Sequence, residues 1–163
     1  MKYSIKNSKS SDSLWCFQAP RTLNDAEATR VSKSLTKFID SWVSHGTPVE
    51  AQFSIFDSQF VIVTSNAESD VSGCSKDSLF AVMRDLLYKT GLDFLDKTIV
   101  TYQEPATDKV MSVNRDQFRQ ALKDGLITGS TLVFDTTISS ANDLLEAKFL
   151  KPLSESWHKD AFL

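Results

Sequence analysis

A stripe of apolar residues at helical spacing is the clearest pattern in this chain. It lies between residues 24 and 46 and predicts an amphipathic helix, because side chains three and four positions apart share one helix face. Asn24 is followed three residues later by Glu27, which has the form of a capping box and predicts the first turn. Gly46 is expected to end the helix, so His45 is predicted in its last turn. The apolar positions are Ala28, Val31, Leu35, Phe38, Ile39 and Trp42.

Strand patterns lie on both sides of this helix. Residues 14–17 form a short apolar run that predicts a first strand, and residues 49–55 alternate between apolar and polar in the manner of a half-buried strand. Residues 60–63 are continuously apolar and predict a more buried strand, and residues 98–102 predict a fourth strand after a second helix. The order strand, helix, strand, strand, helix, strand is that of the split βαβ arrangement. We therefore predict an α+β protein with a ferredoxin-like βαββαβ core at residues 13–105.

A polar turn at residues 72–78 leads into the second helix. Ser75 is expected as the N-cap, with Asp77 in the first turn, where negative charge suits the helix dipole. Gly73 is expected to adopt a positive φ just before the helix, and Gly91 to end it as a C′ residue. The apolar face of this helix consists of Leu79, Val82, Met83 and Leu86, widened by Phe80 and Leu87.

The two ends of the chain differ from the middle. Residues 1–12 are polar and serine-rich, which predicts a disordered tail. After Pro105 the alternation of strand and helix patterns starts again. Residues 106–163 are therefore expected to form an appended β-α-β-α subdomain or an extension of the same sheet.

Composition narrows the functional classes. The chain has 163 residues, 41% of them hydrophobic and 24% charged, with a net charge of −3. This acidic balance argues against nucleic acid as a partner, because phosphate binding needs a basic surface. The absence of a long apolar run and of a signal peptide predicts a soluble cytoplasmic protein with no membrane span. Cys16, expected in the core of the first strand, and Cys74 form neither a disulfide framework nor a C-x-x-C pair, so no metal or cofactor is expected.

The polar turn also holds the most chemically capable group of side chains. Cys74 would lie beside backbone N–H groups that lack helical partners, a setting that lowers a thiol pKa or holds a small anion. The ferredoxin-like topology would bring His45, Cys74 and Glu104 to one end of the sheet. Cys74 and His45 are therefore the catalytic candidates, as nucleophile and base. The candidate ligand-binding residues are Ser72, Gly73, Cys74 and Ser75.

Four stretches of the chain resemble a family of small proteins from Bacteroidetes bacteria that are commonly labelled "ABC transporter ATPase". The resemblance extends over nearly the whole chain beyond the N-terminal tail, and it implies no established activity or catalytic residue. Members are expected to have Ile where this chain has Lys76. The stretches are residues 42–48, 72–75, 125–127 with 131–134, and 156–158.

The family label does not fit the chemistry of the sequence. A P-loop ATPase needs a glycine-rich loop with a G-K-[ST] run to hold phosphates and metal, and the sequence has no such run. Hydrolysis of ATP by this chain is therefore not expected. The sequence favours a non-enzymatic binding or interaction module, with a protein partner or a small anionic ligand held at the 72–78 turn. The alternative is a thiol-based enzyme or sensor that uses Cys74 with His45.

Overall fold

The computed structural model describes residues 2–163 and has a mixed α+β architecture, which confirms the predicted class. The strands are β1 (Ser13–Gln18), β2 (Val43–Ser44), β3 (Thr47–Pro48), β4 (Ala51–Phe56), β5 (Phe60–Ser65), β6 (Ile99–Gln103), β7 (Val110–Asn114), β8 (Leu132–Phe134) and β9 (Leu150–Pro152). The helices are α1 (Asp25–Ser41), α2 (Gly73–Thr90), α3 (Arg115–Lys123), α4 (Ala141–Leu145) and α5 (His158–Phe162), with a 3₁₀ turn at Leu153–Glu155.

The first sheet has the strand order β1-β5-β4, and β5 is antiparallel to both neighbours. The helices α1 and α2 pack against each other on one face of this sheet. Val61 and Val63 point to the helices, where they meet Val31 and Leu79, because alternate residues of a strand share one face. In this part of the chain, two helices therefore cover one face of a three-stranded antiparallel sheet.

The other face of the first sheet is also buried. Phe60 and Ile62 point away from the helices and pack with Tyr3, Phe134 and Phe149 in a second hydrophobic core. All six residues of β5 are buried in consequence, which explains its continuous apolar run and confirms the expectation of a more buried strand.

The ferredoxin-like topology is not confirmed, because the expected fourth strand does not pair with β1. It is β6, and it lies in a second sheet of order β7-β6-β8-β9. Val100 and Tyr102 of β6 are buried in a third core, against Phe118 of α3 and Val133 of β8. The boundary expected at residue 105 therefore falls inside the β6–β7 hairpin. Residues 106–163 contribute no full strand to the first sheet, which they meet at a single bridge between Ser140 and Ser13; their strands build the second sheet around β6.

The N-terminal segment differs from the disordered tail that the sequence predicts. Met1 lies outside the described residues, but Tyr3 and Ile5 are buried in the second core. The Tyr3 hydroxyl donates a hydrogen bond of 2.5 Å to the Asp57 carboxylate, and its ring packs edge-on against Phe149. The side chains of Tyr3 and Ile5 hold this otherwise polar segment against the protein, because they pack among the aromatic rings of the second core.

The termini of the two long helices are partly as predicted. Asn24 and Glu27 form the expected capping box of α1. The helix ends at Ser41, however, and His45 with Gly46 forms the two-residue turn between β2 and β3. Both residues have positive φ, 52° and 75°, as a type I′ hairpin turn requires.

The second helix begins three residues earlier than predicted. Its N-cap is Ser72, whose hydroxyl accepts a hydrogen bond from the Ser75 N–H. Ser75 is therefore in the first turn, Asp77 lies beyond it, and Gly73 is helical without a positive φ. A serine three residues before another serine offers two caps, and the structure uses the first. The C-terminal end is as predicted, with Gly91 left-handed at φ 73°.

Candidate functional site

The turn at the start of α2 is closed by a network of serine hydroxyl groups. Ser44 Oγ donates to the Asp70 carbonyl at 2.5 Å and accepts from the Ser72 N–H at 2.9 Å. Ser75 Oγ donates its hydrogen to the Val43 carbonyl at 2.8 Å. Because that hydrogen is used, Ser72 Oγ is the donor in its 2.9 Å hydrogen bond with Ser75 Oγ. All three hydroxyl hydrogens are thus used within the protein, and the network joins the β2–β3 hairpin to α2.

This closure limits what the predicted ligand-binding residues have to offer. Ser72 and Ser75 have no hydroxyl hydrogen left for an anion. The backbone N–H groups of Gly73 and Cys74 are the donors of the first turn that have no partner among residues 2–163. A role of Ser72, Gly73, Cys74 and Ser75 in ligand binding stays a prediction.

The candidate catalytic residues, Cys74 and His45, lie in the same region but form no hydrogen bond with each other. Cys74 is exposed in the first turn of α2, and His45 is exposed at the tip of the hairpin. The Nε2 atom of His45 lies 3.7 Å from the Asp70 carboxylate. Glu104 lies in the β6–β7 turn of the second sheet, where its carboxylate accepts hydrogen bonds from the N–H and the hydroxyl of Thr107 and has no hydrogen bond with His45 or Cys74. A Cys74–His45 pair stays a prediction.

A groove runs along the outer edge of β1, beside the turn. We call it the edge groove; its volume is about 550 Å³. Its floor is residues 13–17 of β1. Val71 and Phe80 line it from the side of α2, and Thr136 and Ile138 line it from the segment after β8. It occupies the side of β1 on which a ferredoxin-like fold would place the fourth strand.

The backbone of β1 is open toward the edge groove. The odd-numbered residues of β1 bond to β5, as the Ala19 N–H does with the Gln59 carbonyl. The backbone N–H and C=O groups of the even-numbered residues point away from β5, and those of Leu14 and Cys16 face the groove. Of these groups the Leu14 N–H is paired, with the Ser139 carbonyl. Beyond that bridge the backbone groups of Cys16 and Gln18 have no backbone partner among the described residues.

Two lysines make the groove positive. Lys76 lines it from α2 and Lys97 from the loop before β6, and both side chains are exposed. Neither forms a salt bridge with a described residue. Asp70 also lines the groove, with His45 beside it. Burial raises the pKa of the Cys16 thiol, opposed by the charge of Lys97, so Cys16 is a neutral core residue as predicted.

Sequence reasoning missed the edge groove because its parts are distant along the chain. Lys97 stands directly before the predicted fourth strand, but its position beside β1 depends on β6 leaving the first sheet. The open edge of β1 has no local sequence signal either, since an edge strand and a central strand share the same alternation. A charged residue directly before a strand is the one signal that could have drawn attention to Lys97.

A second polar group is enclosed near the C-terminus. His158 is 3% exposed, and its Nδ1 lies 3.0 Å from Ser156 Oγ. Asp135 is buried nearby and forms a 3.2 Å salt bridge with Lys151. Burial acts to raise the pKa of Asp135, but hydrogen bonds from Thr137 and Lys151 outweigh it and hold the pKa below its usual value. The edge groove is not lined by His158.

The remaining observations add no further site. Among residues 2–163, no cluster of three or more His, Cys, Asp or Glu side chains is placed to hold a metal ion. No helix in the same part of the chain is both long and apolar enough to cross a membrane.

Comparison with known proteins identifies no relative of this chain. No family model matches the chain, and neither a curated protein nor a solved structure matches it. What the structure defines is an α+β protein whose first sheet has an open edge beside a lysine-bearing groove.

Proposed function

We propose that this protein is a non-enzymatic binding module whose ligand lies in the edge groove. The observation that carries the proposal is an open strand edge beside one groove of about 550 Å³, lined by two lysines that form no salt bridge with a described residue. Volumes of this size are typical of ligand sites. Lys76 and Lys97 favour a ligand with carboxylate or phosphate groups, and Val71, Phe80 and Ile138 favour an apolar part beside them.

The proposed site lies next to the turn predicted from the sequence. Because the serine hydroxyls of that turn bond to one another, we assign them to positioning the first turn of α2. That turn carries Lys76, so Ser72 and Ser75 fix the base of the helix that holds a ligand-binding side chain. The free N–H groups of Gly73 and Cys74 would add positive potential near the groove.

Three related expectations belong to the same proposal. The order β1-β5-β4 with α1 supports a relation to the ferredoxin-like fold, in which the edge groove replaces the fourth strand. Membership in the family labelled "ABC transporter ATPase" rests on the four stretches of resemblance. A cytoplasmic location rests on the free thiols of Cys16 and Cys74, which suit a reducing compartment.

A thiol-based enzyme or sensor is the second candidate. The observation in its favour is the exposure of Cys74 in the first turn of an 18-residue helix. His45, the proposed base, would have to turn from Asp70 toward Cys74 to take part.

Nuclear magnetic resonance with the ¹⁵N-labelled protein tests the binding proposal. The probes are inorganic phosphate and a set of small carboxylic acids with apolar substituents. Binding in the edge groove should shift the amide signals of residues 14–18 and of Lys76 and Lys97. Lys97→Gln should weaken binding several-fold, because one charge-assisted contact is lost.

Lys123→Gln is the matched control, since Lys123 is exposed on α3 and has no salt bridge with a described residue. It should leave binding unchanged. If the shifts cluster away from β1, or if the two variants lose the same affinity, the edge groove is not the site.

A further inference from the structure

We infer that the edge groove binds an extended, acidic peptide segment of a partner protein, which adds to the first sheet as a fourth strand beside β1. This inference rests on the proposed function and names the chemical class of the ligand. It follows from three features of the groove: the unpaired backbone groups, the shape, and the charge.

The backbone groups favour a peptide over a small molecule. On the side of β1 that faces away from β5, the N–H and C=O groups of Cys16, in the floor of the groove, and of Gln18, just beyond it, lack backbone partners among the described residues. They repeat every second residue, at a spacing of about 7 Å. A second extended backbone matches that repeat, and main-chain hydrogen bonds of this kind provide affinity in strand addition.

The path of the chain shows how such a strand would be accommodated. Ser140 pairs antiparallel with Ser13, and the Leu14 N–H bonds to the Ser139 carbonyl. This short pairing stops after Leu14, and residues 15–17 line the groove beyond it. Three residues of the floor, Trp15, Cys16 and Phe17, lie beyond this pairing, a length of about 10 Å. That length fits about three inserted peptide residues.

Charge complementarity selects an acidic segment. Lys76 stands on the α2 side of the floor and Lys97 near the opposite side, and neither is neutralised by a described carboxylate. Side chains of a strand in the groove would point alternately to these two sides. Acidic residues on both faces of the peptide would therefore each find a lysine.

A defined peptide library tests the inference. A phage-displayed library of random linear dodecapeptides is selected against the native full chain, with the Lys76→Glu/Lys97→Glu double variant as the counter-selection. We expect enriched peptides rich in Asp and Glu and free of central proline. The double variant should bind the corresponding synthetic peptides about tenfold or more weakly, since two favourable charge pairs become repulsive.

Backbone methylation of the peptide then separates strand addition from other modes of binding. In strand addition, alternate peptide N–H groups point to β1, so methylation of one alternate set should abolish binding and methylation of the other set should not. Amide signals of Cys16 and Gln18 should shift in the bound protein. The peptide carries the modification, so the result does not depend on a variant that fails to fold.

The outcomes are decisive in both directions. The inference is overturned if no peptide is enriched, if methylation has no two-residue period, or if the shifts move to the other open edge at Ala51 and Phe53. Enriched peptides that show neither the two-residue methylation period nor shifts at Cys16 and Gln18 also overturn it. If small carboxylic acids still shift residues 14–18 while peptides do not bind there, the proposed function stands and the peptide inference alone fails.

Discussion

Acidification is expected to destabilise this protein through a single buried histidine. His158 is 3% exposed, and burial lowers its pKa from 6.5 to about 4. The charge of Asp135 opposes this shift, while Lys151 and Arg115 reinforce it. The imidazole is therefore neutral in the folded protein at neutral pH, with its Nδ1 beside the hydroxyl of Ser156.

The sign and the size of the effect follow from the two pKa values. The unfolded chain binds a proton at His158 near pH 6.5, whereas the folded protein resists it until about pH 4. Stability from this group is fully present above pH 6.5 and is lost as the pH falls from there toward 4. From these values, about 2 kcal/mol of the free energy of unfolding should be lost between about pH 8 and about pH 5.

Urea unfolding at a series of pH values measures this loss. His158→Asn keeps a polar atom near the position of Nδ1 and removes the titration, so its stability should change far less over this range. His45→Asn is the matched control, because His45 is exposed in a turn that also suits Asn, and the full pH dependence should remain. Equal pH dependence in the protein and in His158→Asn would refute the reasoning, as would a His158 pKa near 6.5 by nuclear magnetic resonance.

Three further outcomes are expected. Gly91→Ala should lower the free energy of unfolding by about 1 kcal/mol, because φ is 73° at Gly91. Gly129→Ala should lower it by less, because φ is not positive at Gly129, and thermal unfolding of both variants measures the difference. Phe149→Ala should cost about 3–5 kcal/mol in urea unfolding, because its buried ring packs against four aromatic rings, and a loss below about 1 kcal/mol would contradict this packing. A maleimide should modify Cys74 alone in the native protein and Cys16 as well after unfolding, as intact-mass spectrometry will show; early modification of Cys16 would count against its burial.

Local patterns predict the elements of this fold well. The capping box at Asn24 and Glu27, the left-handed Gly91 and the apolar run of β5 are each determined by residues close in sequence. The helix start at Ser72 shows where local rules become ambiguous. Ser72 and Ser75 both suit an N-cap, and the choice depends on the carbonyl of Val43, which holds the hydroxyl of Ser75.

The pairing of strands is where the sequence does not suffice. The pattern of β6 suits either sheet, and its place is decided by Phe118 and Val133, which are distant along the chain. Burial of Tyr3 likewise depends on aromatic partners in the second half of the chain, so a polar segment with a single tyrosine gives no sign of it. The edge groove follows from the position of β6, and the site was unpredictable for the same reason.

The burial of β5 on both faces has a consequence for how the protein unfolds. Its helix-facing side chains belong to one core, and Phe60 and Ile62 belong to the other, so neither core survives the loss of this strand. A fragment cut after residue 105 would keep both helices but leave the Phe60 side of the sheet bare and β6 without β7 and β8. The chain should therefore melt in one cooperative transition, with the slowest-exchanging amides in β5, and its halves should not be separable as stable pieces.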